Sequence, residues 1–128
     1  MSEKRCWDVI VDGLGEEGVD YVFGLPGHPD ALYDSLYDSE VEPVLVRHES
    51  SGVFMAMAYA KLKRRPGVCF ASPGPGVSNL VPGVLEAWSG CTPVLALGGS
   101  ASLEHEGKGV FQEAPPDGDN AQHHKMEL

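Results

Sequence analysis

The segment Pro43-Val44-Leu45-Val46-Arg47-His48-Glu49-Ser50-Ser51-Gly52 joins an apolar run of β-strand type to the start of a helical pattern. The apolar part, residues 43–46, predicts a buried strand. Glu49 would then follow the carboxyl end of this strand and open the next helix, at the edge of an open α/β sheet where ligands bind. A second interpretation stays open, because a carboxylate at a helix start also stabilises unpaired backbone N–H groups.

Outward from this segment, strand and helix patterns alternate along the chain. The first helix is indicated by apolar residues at i, i+3, i+4 and i+7: Trp7, Ile10, Val11 and Leu14. We expect helices over residues 6–16, 29–37, 50–63 and 77–88, and strands over 19–23, 43–46, 67–71 and 93–97. Four or five such cycles predict an α/β fold, a doubly wound, mostly parallel sheet with helices on both faces.

The helix expected over residues 50–63 is apolar on nearly every side. Its apolar side chains include Val53, Phe54, Met55, Met57 and Tyr59. A helix that is apolar all round is buried on both faces. Within one small domain this pattern predicts that the outer face of the helix packs on another subunit or domain.

Composition limits the classes of protein to consider. The 128 residues suffice for one domain with a real core, and 19 acidic against 9 basic side chains give a net charge of -10. That charge argues against nucleic acid or an anionic membrane as a partner. Three scattered cysteines, with no apolar run of signal-peptide or membrane-span length, predict a reduced, cytoplasmic protein.

The acidic residues of the second helix predict solvated surface. Asp30, Asp34 and Asp38 lie on its outward side, while Leu32 and Leu36 face inward. No His or Cys lies at a spacing that would complete a metal site with them. We therefore expect no metal to be bound by this chain.

Two turns carry glycine and proline at the ends of predicted strands. The first is Val22-Phe23-Gly24-Leu25-Pro26-Gly27, and the second is Ala71-Ser72-Pro73-Gly74-Pro75-Gly76-Val77-Ser78-Asn79-Leu80. A glycine-rich turn can bind phosphate through its N–H groups, but the prolines of the second turn remove two of these donors. This turn is better suited to close contact with a flat heterocycle.

Taken together, the two turns, the Arg47-His48-Glu49 triplet and the apolar helix resemble the pyrimidine-binding domain of thiamine-diphosphate enzymes. The acetohydroxyacid synthase and pyruvate oxidase group is the most similar. The resemblance covers residues 7–113, and the order and spacing of the motifs make it specific. We place the domain at residues 1–113 and expect a polar tail or linker, disordered, over 114–128.

The resemblance implies a role for several residues. In the family, the glutamate matching Glu49 hydrogen-bonds the N1′ nitrogen of the cofactor's aminopyrimidine and promotes loss of the thiazolium C2 proton. Gln112 matches a glutamine that reaches toward the reacting end of the cofactor. His48 matches a histidine common beside the glutamate. The residues that match the lining of the pyrimidine pocket are Pro26, Gly27, Pro75 and Asn79.

The resemblance also implies a cofactor and partners that this chain does not provide alone. Thiamine diphosphate is held through its diphosphate and Mg by a separate domain, and some relatives carry FAD in a middle domain. Neither domain has a counterpart here, so FAD dependence is left open. Gly118-Asp119-Asn120 is similar to the start of the diphosphate motif, but no strand precedes it and only eight residues follow. We therefore discount that segment, and we interpret His123 and His124 as tail residues.

Two functions from different classes follow. The first is the pyrimidine-binding part of a 2-oxo acid decarboxylase or carboligase that acts as a homo-oligomer or with a diphosphate-binding subunit. The second is a non-catalytic interaction or regulatory module, and the intact Glu49 favours the first. The chain departs from the family at Leu25, His28 and Ser50-Ser51, where tyrosine, glycine and Gln-Gly are common. These departures affect the choice of substrate more than that of cofactor.

Overall fold

Helices and strands alternate through the residues that the computed structural model describes, which are 4–27, 30–100, 102, 104–105 and 108–113. The elements are α1 (Cys6–Glu16), β1 (Tyr21–Gly24), α2 (Asp30–Tyr37), β2 (Glu42–Leu45), α3 (Glu49–Lys63), β3 (Gly67–Ala71), α4 (Pro75–Ser89) and β4 (Val94–Gly98). The predicted order is confirmed, with boundaries shifted by one or two residues. His28, Pro29 and the predicted tail 114–128, with His123 and His124, lie outside the described residues.

The sheet has four strands in the order β2-β1-β3-β4. Each neighbouring pair is parallel: β1 pairs with both β2 and β3, and β3 pairs with β4. The predicted parallel, doubly wound α/β fold is therefore confirmed. Since all strands run the same way, their carboxyl ends lie along one edge of the sheet.

Two apolar cores cover the two faces of this sheet. Because side chains alternate along a strand, Val22 and Phe70 face α1 and α2, while Phe23 and Cys69 face α3 and α4. The first helix buries Val11 and Leu14 as its apolar period predicted. Burial raises the pKa of the Cys69 thiol to about 12. This cysteine is therefore a packing residue rather than a reactive one.

The second strand, β2, differs from the expected buried strand. It lies at an edge of the sheet, where Glu42, Pro43 and Leu45 are exposed and Val44 is half-buried. The reason is Pro43, which lacks the N–H that a central strand uses to bond both neighbours. Our expectation of a buried strand was wrong, but the place of Glu49 after this strand does not depend on it.

The α2 surface has the polarity that the sequence predicted. Leu32 and Leu36 are buried and Asp34 is exposed, with a long contact of 3.4 Å to Arg5. Arg5 also binds Asp8 at 3.0 Å, and the Ser35 hydroxyl donates to Asp8 at 2.6 Å. These donors, Arg5 first and Ser35 second, hold the pKa of the Asp8 carboxyl well below its usual range.

The basic residues at the end of α3 have structural partners. Arg64 ends the helix in the left-handed conformation, with its N–H bonded to the Ala60 carbonyl. Arg65 donates to the Gly18 carbonyl at 2.7 Å. The Tyr59 hydroxyl donates to Asp20 at 2.9 Å, and this bond is the main cause of the lowered pKa of the Asp20 carboxyl. Arg64 and Arg65 therefore stabilise the end of α3 and its contact with the segment after α1.

The two faces of α3 are buried to different extents. Val53, Ala56 and Met57 lie in the core, whereas Phe54 and Met55 are 47% and 39% exposed. Coverage of this outer face by another subunit or domain therefore stays a prediction. None of the described helices combines the length and apolar character needed to cross a membrane.

Close packing of α3 on α4 depends on Gly83. A Cβ added at Gly83 would lie 2.5 Å from Val53 Cβ, inside van der Waals contact. We expect Gly83→Ala to lower the free energy of unfolding by about 1–3 kcal/mol, the usual cost of overpacking. Gly13→Ala is the matched control, because nothing lies within 4 Å of a Cβ there. The control should raise the free energy of unfolding by about 0.5–1 kcal/mol, since alanine favours helix.

Urea unfolding of the two variants and the parent protein measures both effects. Equal stability of Gly83→Ala and Gly13→Ala would contradict the close approach of α3 and α4.

Candidate functional site

The candidate site lies at the carboxyl edge of the sheet. The turns after β1 and β3 and the start of α3 after β2 all emerge there, because the three strands are parallel neighbours. This is the edge at which open α/β sheets bind ligands. The fold thus brings together segments that are separated by up to about fifty residues in the chain.

Glu49 is the first residue of α3, and only 8% of its surface is exposed. It does not serve as the helix cap. His48 occupies the cap position in extended conformation, and its Nδ1 accepts the Ser50 N–H at 3.3 Å. The alternative in which Glu49 is only a capping residue therefore loses its main support, because a neighbouring side chain satisfies that N–H group.

The Glu49 carboxylate is instead bonded across to α4. Asn79 Nδ2 donates to Glu49 Oε2 at 3.0 Å. The next residue, Ser50, donates through its hydroxyl to the backbone carbonyl of Asn79. The first turns of α3 and α4 are thereby joined by two hydrogen bonds, one through the side chain of Asn79 and one through its backbone.

The second carboxylate oxygen of Glu49 has no hydrogen-bond partner among the residues that the structure describes. A Cβ added at Gly76 would lie 3.4 Å from this Oε1 atom. The missing side chain of Gly76 therefore leaves one side of Oε1 open. A half-enclosed, unpaired acceptor of this kind is suited to an N–H donor on a ligand.

The two glycine- and proline-rich turns lie against each other. A Cβ added at Gly27 would be 2.5 Å from Ser72 Oγ, so the turn after β1 contacts the turn after β3. Pro26 and Pro75 are exposed on these turns. Pro75 also begins α4, where its fixed backbone angle is favourable and its missing N–H is not needed. Pro26 and Gly27 lie on the first turn, Pro75 begins α4, and Asn79 lies further along α4, where it bonds Glu49. Their lining of a pyrimidine pocket stays a prediction.

Gln112 is brought to the same edge by its backbone. It has a positive φ of 62°, and a Cβ added at Gly74 would collide with its carbonyl oxygen. The turn that holds it is closed by Glu113, whose carboxylate accepts the N–H groups of Gly109 at 2.6 Å and Val110 at 3.1 Å. The segment 109–113 therefore packs on the turn after β3. The predicted role of the Gln112 side chain toward the cofactor stays a prediction.

Three residues that contact or shape the site were not predicted for it. These are Ser72, which contacts the first turn; Ser50, which was noted only as a departure from the family; and Glu113, which shapes the Gln112 turn. Only the role of Glu113 could have been predicted from neighbouring residues, because a carboxylate four residues after a glycine can accept its N–H group and close a turn. Within the described ranges, no group of three His, Cys, Asp or Glu side chains could hold a metal ion.

A comparison with protein families finds one match. Residues 4–122 match the model of the family described as "Thiamine pyrophosphate enzyme, N-terminal TPP binding domain". This range contains Glu49 and every other predicted site residue.

Comparison with curated proteins finds acetolactate synthases. The chain is similar to acetolactate synthase of Bacillus subtilis (strain 168), with 45% identity over 101 residues, or 78% of this chain and 18% of that protein. It is 41% identical to acetolactate synthase isozyme 2 large subunit of Escherichia coli (strain K12), over 81% of this chain and 19% of the relative. The probable acetolactate synthase large subunit of Methanocaldococcus jannaschii is 38% identical over 83% of this chain and 18% of its own length. The chain thus spans about a fifth of the length of these relatives.

Proposed function

Because this chain belongs to the family of N-terminal TPP-binding domains of thiamine pyrophosphate enzymes, we propose that it activates thiamine diphosphate for a 2-oxo acid decarboxylase or carboligase. In this proposal the chain binds the pyrimidine end of the cofactor. A separate domain or subunit, absent from these residues, binds the diphosphate and Mg. The similarity to acetolactate synthases supports a small 2-oxo acid as the substrate. The three scattered cysteines are the support for the cytoplasm as the compartment.

One observation carries the proposal: the Glu49 carboxylate presents an unpaired oxygen at the ligand-binding edge. Burial to 8% exposure and the bond from Asn79 fix this carboxylate. Its Oε1 is then available to bond the N1′ nitrogen of an aminopyrimidine, accepting a hydrogen bond when N1′ carries a proton. The residues present therefore fit the pyrimidine of the cofactor.

The chain's own residues have distinct tasks in this proposal. Glu49 Oε1 holds a proton shared with N1′, and partial burial strengthens that bond relative to one in water. Pro26 and Pro75 flank the ring with surfaces that carry no N–H group to compete for the ring's acceptors. Glu113 closes the turn that holds Gln112. In this proposal Gln112 faces the reacting end of the cofactor. When bound, thiamine diphosphate supplies the nucleophilic carbon that attacks the 2-oxo acid.

The alternative of a non-catalytic module with the same fold is less favoured. A packing module has no need for a buried carboxylate that is held on one oxygen and open on the other. A buried carboxylate is costly unless a partner or function compensates for it. The placement of Glu49 therefore supports the catalytic proposal.

The first test replaces the carboxylate of Glu49. In the protein assembled with its diphosphate-binding partner, we expect Glu49→Gln to slow proton exchange at the cofactor's C2 by about 10²–10⁴-fold, the usual contribution of a positioned acid–base group. The exchange is followed by NMR in deuterated buffer. Glu16→Gln is the control, because it removes the same charge at an exposed position on α1, outside the site and away from α3 and α4.

Two results would contradict the proposed role of Glu49. One is near-normal C2 exchange in Glu49→Gln. The other is an equal loss in Glu16→Gln, which would indicate an effect of charge alone.

The second test concerns cofactor binding by the chain alone. A net charge of -10 and a pocket for the ring alone leave the diphosphate without partners. We expect calorimetric titration with thiamine diphosphate and Mg to detect no binding tighter than roughly 1 mM, or about 4 kcal/mol of binding free energy. Adding the diphosphate-binding partner should restore binding and turnover. Micromolar binding by the chain alone would refute the division of the site between two domains.

The third test concerns assembly. Exposed apolar side chains lie on both α3 and α4: Phe54, Met55, Leu85 and Trp88. Because large exposed apolar patches are unfavourable on soluble monomers, we propose that a second copy or the partner domain covers these helices. We expect Phe54→Lys to weaken association in sedimentation velocity, measured with the partner present. Val9→Lys, at a 57% exposed position on α1, should leave association unchanged. A monomer at micromolar concentration under all conditions would refute this proposal.

A further inference from the structure

Asn79 lies at a position where the family resemblance implies contact with the cofactor ring. In this chain its side-chain amide is already engaged, because Nδ2 donates to Glu49 Oε2 at 3.0 Å. Glu49 and Asn79 are both partly or fully buried, so water competes little for this bond. The side chain of Asn79 is thus directed at the carboxylate.

The backbone of Asn79 is held independently. The Ser50 hydroxyl donates to the Asn79 carbonyl, so residues 49 and 50 at the start of α3 both bind residue 79 in the first turns of α4. We call this group of Glu49, Ser50 and Asn79 the clasp. Because Ser50 holds the backbone, a change in the side chain of Asn79 can remove one bond of the clasp and leave the other in place.

The clasp makes the two oxygens of Glu49 different. A free glutamate side chain has several rotatable bonds, and its carboxylate would present either oxygen to a ligand. With Oε2 bonded to Asn79, Oε1 is the oxygen that has no partner among the described residues, and it lies on the side where Gly76 leaves space. Fixing one acceptor in advance lowers the entropic cost of forming a further hydrogen bond to it.

We propose that Asn79 is a positioning residue that acts through Glu49: it orients the carboxylate so that Oε1 alone accepts the pyrimidine, and it does not itself bind the ring. Ser50, where the family commonly has glutamine, supports Asn79 through its backbone. This inference rests on the proposed function for its consequence in catalysis. The clasp itself can be tested without cofactor.

The first experiment is a double-mutant cycle read by thermal unfolding at pH 7. Asn79→Asp preserves shape but puts a carboxylate against Glu49, so we expect the Tm to fall by roughly 4 °C or more. Adding Glu49→Gln exchanges donor and acceptor, because the new amide at position 49 can donate to the new carboxylate at position 79. The double variant should therefore recover most of the lost Tm, a coupling that independent sites lack.

Ser78→Asp is the matched control, because it adds the same charge one residue earlier at an exposed position. It should lower the Tm little and show no coupling to Glu49→Gln. Additive effects of Asn79→Asp and Glu49→Gln would overturn the clasp. If Asn79→Asp fails to fold, the side-chain amide of Asn79 is observed by NMR in the parent protein. Slow exchange of one amide proton with water supports the clasp, and exchange as fast as that of a free amide overturns it.

The second experiment separates positioning from direct binding of the ring. In the protein assembled with its partner, we expect Asn79→Ala to slow C2 proton exchange at saturating cofactor by roughly 10- to 100-fold, because a misplaced group loses rate rather than affinity. The Kd for thiamine diphosphate should change by less than about threefold, below the typical loss of a direct hydrogen bond. The opposite pattern, a raised Kd with normal exchange at saturation, would overturn the proposal and make Asn79 a cofactor contact.

The two experiments test different proposals, so either proposal can be refuted without the other. A coupled cycle in a protein that never binds thiamine diphosphate with any partner would refute the proposed function and leave the clasp in place. An additive cycle in an active assembled enzyme would refute the clasp alone.

Discussion

The arrangement of this domain depends on how closely α3 approaches its neighbours. Gly83 allows α4 to contact Val53 of α3, and a Cβ added at Gly52 would lie only 3.1 Å from the Phe23 carbonyl of β1. Because α3 lies this close to both elements, its amino end reaches the edge of the sheet at the start of α4. Side chains of a single turn, Glu49 and Ser50, can then bond to Asn79 across the gap between the helices. A wider separation of the two helices would leave the carboxylate without its donor.

Because His48 caps α3, the Glu49 carboxylate can bond to a residue outside its own helix. Helix starts carry unpaired N–H groups, and the oxygen of a nearby polar side chain often satisfies one of them. Here His48 accepts the Ser50 N–H, so Glu49 is free to turn toward α4. Burial, one bonded oxygen and one open oxygen follow from that direction. The same histidine that the family resemblance places beside the glutamate thus has a structural role in this chain.

The site also requires that the turns at its border lie close to one another. The turn after β1 contacts Ser72, and the carbonyl of Gln112 packs against Gly74, so three separate segments meet at the edge of the sheet where Glu49 lies. Small residues at the contacts allow this approach, since any side chain at Gly27 or Gly74 would occupy the space of its neighbour. The site is therefore built from backbone shape as much as from functional side chains. The exposed apolar residues of α3 and α4 are the basis of the proposal that another protein surface covers these helices.

The order of helices and strands, the parallel fold, the inward faces of α1 and α2 and the position of Glu49 at the start of the helix after β2 could all be predicted from the sequence alone. These properties depend on local periodicity, on glycine and proline at turns and on motif spacing, all of which are readable along a single chain. Only the folded structure established that Asn79 bonds one oxygen of the Glu49 carboxylate. It also established that His48 rather than Glu49 caps α3, and that Pro43 lies in an exposed edge strand. These properties depend on contacts between residues about thirty positions apart, such as Glu49 with Asn79, and on which strands are neighbours in the sheet. The residue pattern does not specify the distance between two helices. Those contacts are therefore determined only by the packing of the folded chain.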